Sequence, residues 1–152
     1  MLRVVAILFV IAVAAFAAAA RADAPKGRFT GADACGACHE TELAQWRGTA
    51  HARASSTLRK QARARRCQAC HTTGDAPAGR PAFANVGCEA CHGAGAGYAE
   101  DDIMRDPTLA GALGLADLST PKARAAACAP CHSASTRLAP FDAEAAWKRI
   151  AH

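Results

Sequence analysis

Eight cysteines stand in four pairs of identical spacing, each followed directly by a histidine: Cys35, Cys38, His39; Cys67, Cys70, His71; Cys88, Cys91, His92; and Cys128, Cys131, His132. Four of the six histidines in the chain occupy that one position. A repeat of this kind needs a chemistry that uses two thiols and an imidazole together. Disulfides use thiols alone. Zinc ribbons also draw on C-x-x-C pairs, yet neither chemistry calls for a histidine after every pair. A thioredoxin-like site uses C-x-x-C once per domain, within a βαβ pattern that is absent here.

The spacing does match covalent haem attachment. In C-x-x-C-H the two thiols add to the two vinyl groups of a haem, and the adjacent imidazole reaches the iron from one face. One helical turn presents both sulfurs along the porphyrin edge while the histidine points beneath the ring. Four covalently bound haem c groups are therefore expected on Cys35, Cys38, Cys67, Cys70, Cys88, Cys91, Cys128 and Cys131. His39, His71, His92 and His132 are the expected proximal iron ligands.

The first 22 residues have the build of a secretory signal: Arg3, then unbroken apolar sequence from Val4 to Ala20, then Ala20-Arg21-Ala22 as an A-x-A cleavage site. Seventeen apolar residues, many of them alanine, are short for a retained membrane anchor. The expected mature chain is 23–152, a single domain in the periplasm or its equivalent, with no membrane span after cleavage. Its large apolar side chains are few, so a conventional core would be thin. With about 32 residues per haem, the porphyrins become the core, and the chain without them should be largely unfolded. Removing Arg3 and Arg21 leaves 16 basic against 13 acidic residues, a polypeptide charge of +3 that eight haem propionates oppose. That balance gives no ground for nucleic-acid binding.

A mostly α fold is expected, a small multihaem cytochrome with short helices and long loops wrapped around four haems. One helix should start near Asp33 and run to Trp46, with Gly48 interrupting. A second, capped by Thr49, should run through Arg66 and hold His51 near its start. Its basic end, Arg63, Arg65 and Arg66, reads as a solvated face or as propionate partners. Residues 72–87 read as a loop, Gly93, Gly95 and Gly97 as a turn, and residues 98–119 as loop with at most a short helix. Thr120-Pro121 is a strong helix start leading into the fourth motif. Asp142 can cap a final helix that runs to the C-terminus and contains Trp147.

Distal ligands are scarce. After the four proximal histidines only His51 and His152 remain, and Met104 is the sole methionine of the mature chain. At most two haems can then be bis-histidine within one chain, and one more can be His/Met. Twelve helical residues span about 18 Å, so His51 should serve a haem other than that of its own motif. Trp46 could fill the seam between the first two helices, but packing on a porphyrin edge is favoured because so little other core exists. Tyr98 is a further candidate oxygen ligand.

The stretch from Cys35 to Ala54, CGACHETELAQWRGTAHARA, places a tryptophan seven and a histidine twelve residues after the first motif histidine. The third site reads VGCEACHGAG. Both resemble the cytochrome c-554 family, tetrahaem electron carriers best known from ammonia oxidation, where they take electrons from hydroxylamine oxidoreductase. The resemblance implies that His71 holds a five-coordinate haem and that His51 is a distal ligand. The family also carries a histidine some residues after the third motif, where Gly93 to Asp106 of this chain has none.

The function expected is electron transfer between redox partner proteins, a donor and an acceptor. An open-coordination haem also admits an enzyme that reduces a small nitrogen species such as nitric oxide, or a haem subunit of a larger oxidoreductase. No catalytic triad, nucleotide motif or organic-substrate pocket is visible in the sequence.

Overall fold

The computed structural model describes residues 29–58, 65–74, 83–133 and 140–152. The expected signal segment 1–22, Arg63 and the middle of the 72–87 loop lie outside the described residues. Short helices dominate: α1 (Ala32–Gly36), α2 (Glu40–Arg47), a 3-10 helix (His51–Thr57), α3 (Arg65–His71), α4 (Glu89–His92), a 3-10 turn (Gly95–Gly97), α5 (Asp101–Met104), α6 (Pro107–Ala112), α7 (Pro121–His132) and α8 (Ala143–Trp147). An isolated antiparallel bridge joins Thr72 to Ala84, beside an edge-on Phe29–Phe83 pair at 5.8 Å.

The expected first helix is two. Gly31, at φ 92°, precedes α1, and the chain leaves helical geometry at His39 before α2 begins. Asp33 makes no capping bond and instead meets Arg47 at 3.1 Å in an exposed ion pair, an interaction of small value. The Leu43 side chain folds back over Gly36, where a Cβ would collide with it. Gly48 caps α2, its N–H donating to Gln45 O at 3.0 Å while Thr49 N donates to Trp46 O at 2.9 Å.

The second expected helix is also different. Thr49 does accept a hydrogen bond from the Ala52 N–H at 3.3 Å, but the chain then forms a seven-residue 3-10 helix that turns extended at Leu58. Three successive hydroxyls explain the change, because each finds a backbone carbonyl of its own: Ser55 bonds His71 O, Ser56 bonds Arg53 O and Thr57 bonds Ala54 O. Such local bonds compete with helix propagation.

Between Tyr98 and Ser119 there is more helix than expected. Asp106 accepts from the N–H groups of both Thr108 and Leu109, and Pro107 takes the first helical position, so α6 has a complete start. Thr120-Pro121 opens α7 as the sequence indicates, with Thr120 Oγ1 accepting from Ala123 N at 3.2 Å. Asp142 caps α8 through Ala145 N at 3.0 Å, and that helix ends at Trp147 in a run of turns.

The polypeptide has almost no core of its own. Among the described residues the buried apolar side chains are Leu43, Tyr98 and Ala110, and no large side chain is fully buried. Cohesion comes instead from hydrogen bonds between segments distant in sequence. The Trp46 indole donates to Val86 O at 2.8 Å, Val86 N donates to His51 O at 3.1 Å, and Ser55 N donates to Asn85 Oδ1 at 2.9 Å. Trp46 thereby fastens α2 to the approach of the third motif. The 3-10 helix is held between that approach and His71.

Candidate functional site

Each motif is one turn of helix. His39 N donates to Cys35 O at 3.0 Å and His92 N to Cys88 O at 2.9 Å, the bond that closes an α-helical turn. The second and fourth motifs end α3 and α7, each helix finishing on its histidine. First cysteine and histidine, four residues apart, share a face, with the second cysteine beside them. All eight cysteines are unbridged.

The turns adjoin in pairs. Glu89 of the third motif accepts from Thr30 N and Gly31 N, just ahead of the first motif, at 2.9 and 2.8 Å, and Cys88 draws the Cys35 thiol down to about 7. The Cys131 thiol of the fourth motif faces Ala69 O of the second at 4.0 Å, and burial pushes Cys131 up to about 11. Burial raises Cys91 too. Motif one therefore meets motif three, and motif two meets motif four.

The histidines face one another in pairs. The rings of His51 and His132 have centroids 6.2 Å apart at 62°, and those of His92 and His152 are 6.0 Å apart at 55°. An imidazole nitrogen binds a first-row metal at about 2.0–2.1 Å and lies about 1.1 Å from its ring centre, so two axial imidazoles across one metal have centroids about 6.3 Å apart. Both pairs have that spacing. Burial and then the neighbouring imidazole hold His51 below the usual histidine range. His92 is lowered by burial, then by His152 and His39. Both effects favour the neutral ring, the form that binds metal.

The second ring nitrogens are arranged to match. His71 Nδ1 donates to Ala54 O at 2.7 Å, and His152 Nδ1 donates to Ile150 O at 3.0 Å, which fixes the tautomer and leaves Nε2 free as a ligand. His132 stacks on Phe141 at 3.9 Å, and its buried Nδ1 has no partner among the described residues. Paired thiols on helical turns, imidazoles at axial spacing and a scant polypeptide core all suit haem c. Its iron would be held by the motif histidines and its ring would fill the space between the turns.

Other sequence candidates stand apart. Met104 is half-buried at the end of α5. Its neighbour Arg105 is held up by the bond to Asp101. The Tyr98 hydroxyl donates to His92 O at 3.1 Å and Gly93 O at 2.8 Å. Tyr98 thus secures the exit of the third motif, and the oxygen-ligand role is set aside. Gly93 follows His92 at φ 86°, where any Cβ would run into Gly114 O.

Glu89 is a site residue that sequence reasoning misses. It is 4% exposed inside the third motif and accepts hydrogen bonds from Thr30 N at 2.9 Å, Gly31 N at 2.8 Å and Gly95 N at 2.6 Å. A charged residue between two attachment cysteines is the one signal available, and nothing local indicates its distant donors. Replacing Glu89 with alanine strands three backbone donors, so the assembled protein should lose about 3 kcal/mol or more. Its denaturation midpoint measures this, and an unchanged midpoint would refute the role.

Residues 34–93, which hold the first three motifs, match the family model described as cytochrome c554 and c-prime. Cytochrome c-554 of Nitrosomonas europaea is 32% identical over 104 residues, an alignment covering 53% of this chain and 43% of that protein. The chain thus spans less than half the length of that curated relative. No solved structure matches. Through the segment 34–93 and the motifs it carries, the chain is similar to the cytochrome c-554 family, and covalently bound haem c is what that similarity implies.

Proposed function

We propose that the chain is an exported tetrahaem c-type cytochrome that carries electrons between a donor and an acceptor protein. Haem c supplies a one-electron redox centre at each motif when bound. The observation that carries the reading is that motif one adjoins motif three and motif two adjoins motif four, with two histidine pairs at axial spacing. Close succession is what a multi-centre carrier requires, and the half-buried cysteines leave the edges of the centres within reach of partner proteins. Export is supported by the signal-like segment 1–22. Among the described residues no helix is long and apolar enough to cross a membrane.

The ligand assignment has His51 opposite His132 and His152 opposite His92. That uses all six histidines and leaves the centres of His39 and His71 without a second imidazole from this chain. Met104 is the remaining candidate for one of the two. At least one centre is then open, which supports the second reading, a site that binds or reduces a small nitrogen species.

Carbon monoxide titration of the reduced protein, with low-temperature EPR of the oxidised protein, tests the assignment. One to two equivalents should bind per chain, one if Met104 is a ligand and two if it is not. No binding would overturn the assignment, as would three or more equivalents. Turnover of nitric oxide by the reduced protein would favour the enzyme, and oxidation by a partner protein without such turnover the carrier.

A further inference from the structure

The two distal histidines are held very differently. His51 begins a 3-10 helix whose backbone is bonded to Val86, Asn85 and His71. His152 lies in an exposed stretch beyond α8, so whatever fixes α8 decides where that ring stands.

The path from α8 to His152 is short and stiff. Lys148 N bonds Glu144 O at 3.2 Å, Arg149 N bonds Ala146 O at 3.1 Å, and Ile150 N and Ala151 N both bond Trp147 O, at 2.9 and 2.8 Å. The His152 ring then bonds back to Ile150 O. The Asp142 cap stabilises α8 internally and does not dock it. Docking falls to Arg124, in the first turns of α7.

Its guanidinium is bidentate to Glu144, at 3.0 and 2.9 Å, lies 5.4 Å from the centre of the Trp147 ring, and bonds the carbonyls of Leu118 and Ser119 at 3.2 and 2.8 Å. The Arg124 side chain is 14% exposed, unlike the open Arg47 and Arg105 pairs at 62% and 74%. A planar fork of five donors meets such a set of partners, and an ammonium cannot. The segment it grips returns to the third motif, since Ala116 N donates to His92 O at 3.0 Å. The contacts close a ring: His92 to Ala116, along the chain to Leu118 and Ser119, through Arg124 to Glu144 and Trp147, and by the rigid turn to His152, opposite His92.

We propose that Arg124 is a positioning residue for an axial ligand: by clasping Glu144 and Trp147 to the segment that anchors His92, it holds His152 at the third centre and closes that centre to small neutral ligands. The proposal rests on the reading that the third motif carries haem. Any ligand of carbon monoxide type that binds ferrous iron would compete with His152 there. The geometry makes His152, rather than the more firmly held His51, the ligand that the clasp controls.

The test uses mature, haem-loaded protein, with intact mass showing four haems in every variant compared. His152→Ala should lose one low-spin signal and gain one carbon monoxide equivalent. Arg124→Ala should do the same with His152 still present, Arg124→Lys should fall between Arg124→Ala and the unmodified protein, and Arg105→Ala should match the unmodified protein. The double variant Arg124→Ala/His152→Ala should show no more than either single change, since both act on one centre. Unmodified spin counts in either single variant, or additive effects in the double, overturn the proposal. Should Arg124→Ala not load, Glu144→Gln decides by the same outcomes. A missing haem on the third motif of the unmodified protein would instead refute the underlying reading, and the mass separates the two failures.

Discussion

Four haems on eight thioether bonds, and a polypeptide that does not fold without them, is the largest effect expected of this protein. Intact mass of exported material should equal that of residues 23–152 plus four haems. The same chain produced without attachment should lose most of its far-ultraviolet helical signal. The physical ground is the near absence of a polypeptide core: Leu43, Tyr98 and Ala110 are the buried apolar residues among those described. Burying one large apolar side chain contributes about 1.5–3 kcal/mol, whereas ordering each residue costs about 1–2 kcal/mol of backbone entropy. The helices are too short to persist alone, the longest described being the twelve residues of α7. Buried porphyrin must supply what is missing. A cooperative unfolding transition in the unattached chain, or free thiols in matured protein, would count against it.

Replacing His51 with alanine should convert one low-spin haem to high spin without releasing any covalent haem. Attachment depends on the cysteines of a motif, and the distal imidazole belongs to another segment. The backbone around His51 is secured independently of its side chain, because Val86 N bonds the His51 carbonyl and Asn85 and Ser55 exchange hydrogen bonds. The variant should therefore keep its fold and gain one carbon monoxide equivalent. The centre affected should be that of His132, whose ring lies 6.2 Å from His51, and not that of His39 twelve residues earlier. An unchanged spin count would leave His51 as a half-buried histidine with no metal, and a change at the first centre would overturn the pairing.

The parts of the fold legible in the sequence are those whose causes lie within one turn. Thr120 with Pro121, and Asp142, signal helix starts because a side-chain oxygen and the N–H three residues on are all that a cap needs. Asp106-Pro107 carries the same signal for α6, masked by the loop-like residues around it. The difference at 49–66 has a related origin: the composition there is helical, while Ser55, Ser56 and Thr57 have carbonyl partners, one of them on His71, that the local pattern does not display.

The attachment chemistry is proposed from spacing alone, because two thiols and an imidazole must sit on a single helical turn and their spacing records it. The sequence by itself determined the mostly helical character and the shortage of histidines. Only in three dimensions does the third motif meet the first through Glu89, does the Cys131 thiol face Ala69 O, and do His51 and His92 face His132 and His152. The tertiary structure alone gave Glu89 and Arg124 their work. Each of these contacts joins segments far apart in the chain, and each depends on how many hydrogen bonds and packed surfaces are satisfied at once. No single local spacing encodes that sum.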